Sequence, residues 1–192
     1  MRLGVYGGSF DPVHLGHLIL AEQCRETARL DEVLFIPAPR PPHKLARELT
    51  PFSRRVEMLE LAISGHPVFQ VSQMEKDRPG PSFTVDTLRQ LRQERPEADL
   101  HLLVGSDVIP DLPSWHEPAQ IAELATLVVA TRPSWPLPAE LPRGFRFIIV
   151  EMPQVDISST DLRNRLANGR SVRYFVPRAV ECYIQTHHLY QT

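Results

Sequence analysis

Cysteine is scarce in this chain: two residues, Cys24 and Cys182, stand among 192. They are far apart in sequence and make no metal-ligand spacing. Cys24 lies on an apolar helical stripe, so it is expected to be a reduced core thiol of a cytoplasmic protein. No apolar run approaches the length of a membrane span, and the first residues lack the apolar segment of a secretion signal. An excess of charge of one sign is nearly absent too, with 21 Lys and Arg against 23 Asp and Glu. A net charge of −2 supplies no basic field for a long nucleic acid, although a local cluster of donors could still hold a small phosphorylated ligand. There is no internal repeat, no Lys-Ser/Thr ending of a phosphate-binding P-loop, no GxGxxG, no HExxH and no CxxC.

What is present is an alternation of short apolar runs and helical patterns. Hydrophobic residues make up 42% and charged residues 23%, the balance of an ordinary globular protein, and the length suits one well-buried core. One domain over 1–192 is expected, with C-terminal helices at about 158–190 packed on the core. Leu3 to Tyr6, Val33 to Ile36, Val68 to Val71, Leu100 to Val104, Leu127 to Ala130 and Phe147 to Val150 read as strands, the continuous apolar run Val33 to Ile36 as a buried parallel one. Helical spacing follows several of them: Leu18, Ile19, Ala21 and Cys24; Phe52, Val56, Leu59 and Ile63; Val85, Leu88 and Leu91. The pattern predicts a Rossmann-like α/β fold, a doubly wound parallel sheet of five to six strands with helices on both faces. The 19 prolines cluster at 37–42 and 133–142, which marks two irregular loops.

The most specific stretch runs from Gly7 through Gly8, Ser9, Phe10, Asp11, Pro12 and Val13 to His14, Leu15, Gly16 and His17. It reads as a strand-to-helix turn. Gly7 and Gly8 would let the chain turn sharply and let a ligand approach the backbone. Pro12 would suit the start of a helix. His14 and His17, three apart, would share one face of its first turn. Gly16 in a helix is unfavourable by about 1 kcal/mol relative to Ala, which suggests close packing there. Two imidazoles at a helix N-terminus make an anion site, here read as a cradle for a triphosphate.

Later stretches are open to two readings. His43 and Lys44 lie in a proline-rich loop that could reach a phosphate or simply be solvated. Arg54 and Arg55 near a helix start read as a solvated pair, unless an anion compensates them. Ser82 could cap the helix that begins with Thr84, Val85, Asp86 and Thr87. Asp107, after Gly105 at a strand tip, could bind ribose hydroxyls or cap a helix. Trp115 is either a core plug or an aromatic platform for a cationic ring. Ser158 with Asp161 reads as a capping box, and the same turn presents Ser159, Thr160 and Arg163 as a second anion site.

The strings G-G-S-F-D-P-V-H-L-G-H, P-P-H-K, S-F-T-V-D-T-L, G-S-D followed by L-P-S-W, and I-S-S-T-D-L-R together resemble bacterial nicotinate mononucleotide adenylyltransferases of the nucleotidyltransferase superfamily. The resemblance covers nearly the whole chain, with Phe83 standing where that family more usually has Tyr. It implies ATP and nicotinate mononucleotide as substrates, Mg²⁺ accompanying ATP, and nicotinate adenine dinucleotide and pyrophosphate as products. It implies His14, His17 and Arg163 as catalytic, and Gly7, Gly8, Ser9, Phe10, Gly105, Asp107, Ser159 and Thr160 as ATP-binding. Lys44, Thr84, Val85, Trp115, His116 and Arg132 would contact the other substrate, Trp115 stacking on its ring. No resident metal ligand, nucleic acid or membrane partner is implied, and a homo-oligomer is left open.

Overall fold

The computed structural model describes residues 1–42, 48–132, 134–153 and 155–191. Its order is β1 (Arg2–Gly8), α1 (Leu15–Ala28), β2 (Glu32–Pro37), α2 (Phe52–Ile63), β3 (Phe69–Val71), α3 (Thr84–Glu94), β4 (Asp99–Gly105), α4 (Pro118–Leu124), β5 (Thr126–Ala130), β6 (Phe147–Val150), α5 (Ser159–Ala167) and α6 (Arg178–Thr186). The strands form a six-stranded sheet in the order β3-β2-β1-β4-β5-β6, and every neighbouring pair is parallel. The doubly wound Rossmann-like architecture is therefore as expected. The chain reverses its direction of travel across the sheet between β1 and β4. At such a switch point the loops beyond the strand ends diverge and leave a crevice.

Side chains alternate between two cores because successive strand residues face opposite ways. Val33, Phe35, Leu103 and Val128 join one cluster with α1, α2, α5 and α6, which contribute Cys24, Leu59, Leu162 and Ile184 among others. Leu34, Ile36, Leu102 and Val129 join the other, with Leu88 of α3 and Ile121 of α4. Cys24 is a free thiol at 0% exposure, and burial pushes it up to about 12, so it is an inert core residue. No described helix is long and apolar enough to cross a membrane.

Three local expectations are corrected. Gly7 and Gly8 are the last residues of β1 rather than a turn. Pro12 lies in the turn that follows, and α1 begins only at Leu15, with His14 as its N-cap residue in extended conformation. Ser82 does not cap α3, whose N-cap position is Phe83 without a side-chain bond. By contrast, Ser158 is the N-cap of α5, its hydroxyl accepting from the Asp161 amide at 3.1 Å. Ile184, at 0% exposure, fastens α6 to the first core. Ile184→Ala is expected to lower stability by about 2–4 kcal/mol in urea denaturation; a loss under 0.5 kcal/mol would show that α6 is not part of the cooperative core.

Candidate active site

A cavity of about 610 Å³ opens at the carboxyl end of the sheet, over the gap between β1 and β4. One side is built by the end of β1 and the start of α1, where Gly7, Gly8, Ser9, His14 and His17 line it. The opposite side belongs to the start of α5, which contributes Ser159, Thr160 and Arg163. These segments are more than 140 residues apart in sequence and touch directly. The Ser159 hydroxyl donates to the Pro12 carbonyl at 3.0 Å, and Arg163 Nη1 donates to the Asp11 carbonyl at 2.7 Å. Arg163 Nη2 also donates to Thr160 Oγ1 at 2.9 Å, which orients the guanidinium along the first turn of α5. The first amides of a helix have no intrahelical acceptor, so α1 and α5 both aim positive N-termini at this cavity.

The two imidazoles stack, with centroids 3.7 Å apart. The His14 amide donates to His17 Nδ1 at 3.2 Å, which makes that nitrogen an acceptor and leaves the His17 proton on Nε2. His14 is 4% exposed, and its Nδ1 is buried with no partner among the described residues. Burial, and then the positive charge of Arg132, hold His14 down to about 3, so it is neutral near pH 7. Of the two imidazoles read as an anion site, His14 therefore acts as a neutral group. The close packing anticipated at Gly16 is the His14 ring itself: a Cβ there would sit 3.1 Å from it and 3.7 Å from Ile157 Cβ, against the segment leading into α5.

Farther along the cavity, Arg132 Nη1 donates to Asp107 Oδ2 at 2.9 Å. The Asp107 carboxylate folds back over Gly105, where a Cβ would lie 2.2 Å from Oδ1, so only glycine permits this placement. Asp107 is not at a helix N-cap, a position that Gly105 takes; the Ser106 hydroxyl donates to the Trp135 carbonyl at 2.6 Å and accepts from the Arg132 amide at 3.0 Å, tying the loop after β5 to the tip of β4. At the other end stand Thr84, Trp115 and His116, with His116 stacked on Phe83 at 4.3 Å. Two residues inferred by resemblance present no side chain to the cavity. Phe10 is 1% exposed and plugs the core against Tyr6 and Phe35, and Val85 is 0% exposed in the second core. Lys44 and His43 lie outside the described residues.

Two polar residues escape sequence reasoning. Arg55 is not half of a solvated pair. Only 1% exposed, it donates from Nε to the Thr50 carbonyl at 2.9 Å and from Nη1 to the carbonyls of Ser9 at 2.7 Å and Ala38 at 3.0 Å. It thereby joins the loops that leave β1 and β2. Burial weakens its hold on its proton, and the nearby Asp11 carboxylate offsets part of that. Arg54 goes elsewhere, to the Tyr183 hydroxyl at 2.8 Å. Glu75 lines the cavity beside Thr84 and Thr87 at 5% exposure. Its Oε1 accepts from the Thr87 hydroxyl, and Oε2 is buried without a partner among the described residues. Burial raises its carboxyl above the usual range, against the opposing pull of Thr87, Ser82 and Arg78.

Two consequences can be measured. Because the folded protein excludes a proton from His14 that the unfolded chain accepts below about pH 6.5, stability falls as pH drops through that value toward 3. The slope from this one group approaches about 1.4 kcal/mol per pH unit. His14→Gln is expected to flatten the pH dependence of urea unfolding between 6 and 4; an unchanged slope would mean that His14 is not buried neutral. Arg55→Met strands three carbonyls and is expected to cost about 3 kcal/mol or more, with Arg55→Lys recovering only part. A loss below 1 kcal/mol for Arg55→Met would contradict the clamp.

The sequence places this site among known proteins. A family model described as cytidylyltransferase-like matches residues 5–165. A Thermomicrobium roseum protein described as a probable nicotinate-nucleotide adenylyltransferase is 49% identical over 197 residues, covering 100% of this chain and 92% of its own. A Thermus thermophilus protein of the same description is 51% identical over 192 residues, covering 100% of both. A solved structure of Plasmodium falciparum nicotinic acid mononucleotide adenylyltransferase complexed with NaAD has a TM-score of 0.86 at 20% identity, over 98% of this chain and 97% of that one. At that identity the likeness speaks for the fold. Full-length identity near one half decides the family: the chain belongs to the cytidylyltransferase-like proteins and, among them, to the nicotinate-nucleotide adenylyltransferases.

Proposed function

We propose that the cavity holds MgATP and nicotinate mononucleotide side by side and guides the mononucleotide phosphate onto the α-phosphorus. The activity that goes with this family is adenylyl transfer from ATP to nicotinate mononucleotide, giving nicotinate adenine dinucleotide and pyrophosphate. The observation that carries the reading is the meeting of two helix N-termini, two imidazoles and the Arg163 guanidinium around one space. The backbone of Gly7, Gly8 and Ser9, with Phe10 packed beneath, approaches the polyphosphate. His14 and His17 flank it, and Ser159, Thr160 and Arg163 hold the departing pyrophosphate. Gly105 and Asp107 face the adenosine ribose. Thr84, Trp115 and His116 receive the nicotinate end, with Val85 acting through its amide and Arg132 and Lys44 reaching phosphate. Magnesium enters with ATP, held by phosphate oxygens and water, the usual mode for this ion.

The chemistry asks for no general base. A phosphate monoester has its second pKa near ~6, so the nucleophile is mostly dianionic at neutral pH. Nothing must be deprotonated, and direct in-line attack needs no covalent intermediate. The obstacle is repulsion between two polyanions, which positioning and preorganised donors relieve. Burial and Arg132 hold His14 neutral, so it flanks the polyphosphate as an oriented dipole.

Purified protein supplied with MgATP is expected to release pyrophosphate with nicotinate mononucleotide, and with a lower kcat/KM for nicotinamide mononucleotide. Release with neither would overturn the reading. His17→Ala is expected to lower kcat by about 10²-fold, the effect of losing one preorganised donor. A variant within a few-fold of wild type would remove His17 from that role.

A further inference from the structure

The chain after α6 folds back rather than trailing away. The Leu189 amide donates to the Ile184 carbonyl at 3.0 Å, and Tyr190 adopts a left-handed backbone with φ +63. For an aromatic residue this conformation is unfavourable by about 1 kcal/mol or more and persists only where the surroundings impose it. Here they do. The Tyr190 ring packs on the first core, and its hydroxyl donates to Asp11 Oδ1 at 2.8 Å across 179 positions of sequence. Asp11 is 1% exposed, and its carboxylate lies near enough to the buried Arg55 to favour the charged guanidinium. The backbone carbonyl of the same residue receives Arg163, and the next carbonyl, that of Pro12, receives Ser159. Burial, with the Asp11 charge adding to it, raises the Tyr190 phenol well above its ordinary value, so it remains a donor at any working pH.

We propose that Tyr190 is a positioning residue for adenylyl transfer: by pinning the Asp11 carboxylate it sets the carbonyls that hold the α5 half of the phosphate cradle against the α1 half. The inference rests on the reading of the cavity as an ATP site. Its reach is one-sided. The Asp11 to Pro12 turn meets the groups assigned to the polyphosphate, whereas Thr84 opens α3 and Trp115 packs on the second core, across the sheet from Tyr190, so loss of the phenol hydroxyl disturbs ATP and turnover without disturbing the mononucleotide pocket.

Tyr190→Phe keeps the ring and removes only the hydroxyl. Wild type and variant are compared by pyrophosphate release with each substrate varied in turn, and by calorimetric titration with MgATP alone. Expected are a fall in kcat and in MgATP affinity of about five- to ten-fold, the scale of one net hydrogen bond, with the KM for nicotinate mononucleotide within two-fold. Asp11→Asn, which also removes the charge beside Arg55, should lower kcat and MgATP affinity at least as much, and Tyr190→Phe added to it should change kcat by less than Tyr190→Phe alone, since the two share the contact. The proposal is overturned if Tyr190→Phe leaves kcat and MgATP affinity within two-fold of wild type. Equal effects on both substrates, or full additivity with Asp11→Asn, would overturn it as well. Pyrophosphate release by the wild type in the same assay reports separately on the reaction assigned to the cavity.

Discussion

The bond from Arg163 to the Asp11 carbonyl spans 152 positions and is what makes one cradle out of two helix ends. Neither helix alone offers more than a few unpaired amides, and each would be a weak anion site by itself. Their juxtaposition depends on the turn between β1 and α1 holding its carbonyls in fixed places. That turn is gripped from outside: by Arg55 at Ser9, by Ser159 at Pro12 and by Arg163 at Asp11. A buried guanidinium bonded to carbonyls is costly unless all of them are met, so the arrangement tolerates little drift. Small displacements of such donors weaken catalysis because the transition state, unlike the ground state, has one geometry.

The site is less positive than a list of its residues suggests. Arg132 is paired with Asp107, and His14 is kept neutral by burial and by Arg132 itself. An anion therefore meets oriented dipoles and guanidinium groups that are already fixed. Donors aligned beforehand need not reorganise during reaction, which favours the charge distribution that develops along the reaction path. A fold with its switch point between β1 and β4 supplies the room for this, because the loops leaving those strands part company there.

Much of this was legible in the sequence, and the reasons are physical. Strands buried on both faces are short apolar runs, and helices between them carry apolar stripes, so the sheet and both cores could be drawn from periodicity. The end of β1 and the start of α5 were legible because their residue types recur together. Arg55 was hidden because its partners are backbone carbonyls, which leave no pattern of side chains to read; beside Arg54 it looks like a surface pair. Glu75 carries no helical or strand signal and becomes conspicuous only once burial leaves Oε2 without a partner among the described residues. Tyr190 sits at the end of the chain, where its hydroxyl gives no clue to a partner 179 positions away. Phe10 and Val85 show the converse: they belong to the motifs, yet their side chains face the core. A motif marks a backbone path and not the direction of every side chain on it.

The most direct measurement is a crystal structure with a non-hydrolysable MgATP analogue. The account requires the β- and γ-phosphates to contact His14 or His17 and, in the same molecule, Arg163 with the first amides of α5. A polyphosphate resting on only one of the two helix ends, or outside the cleft between β1 and β4, would contradict it.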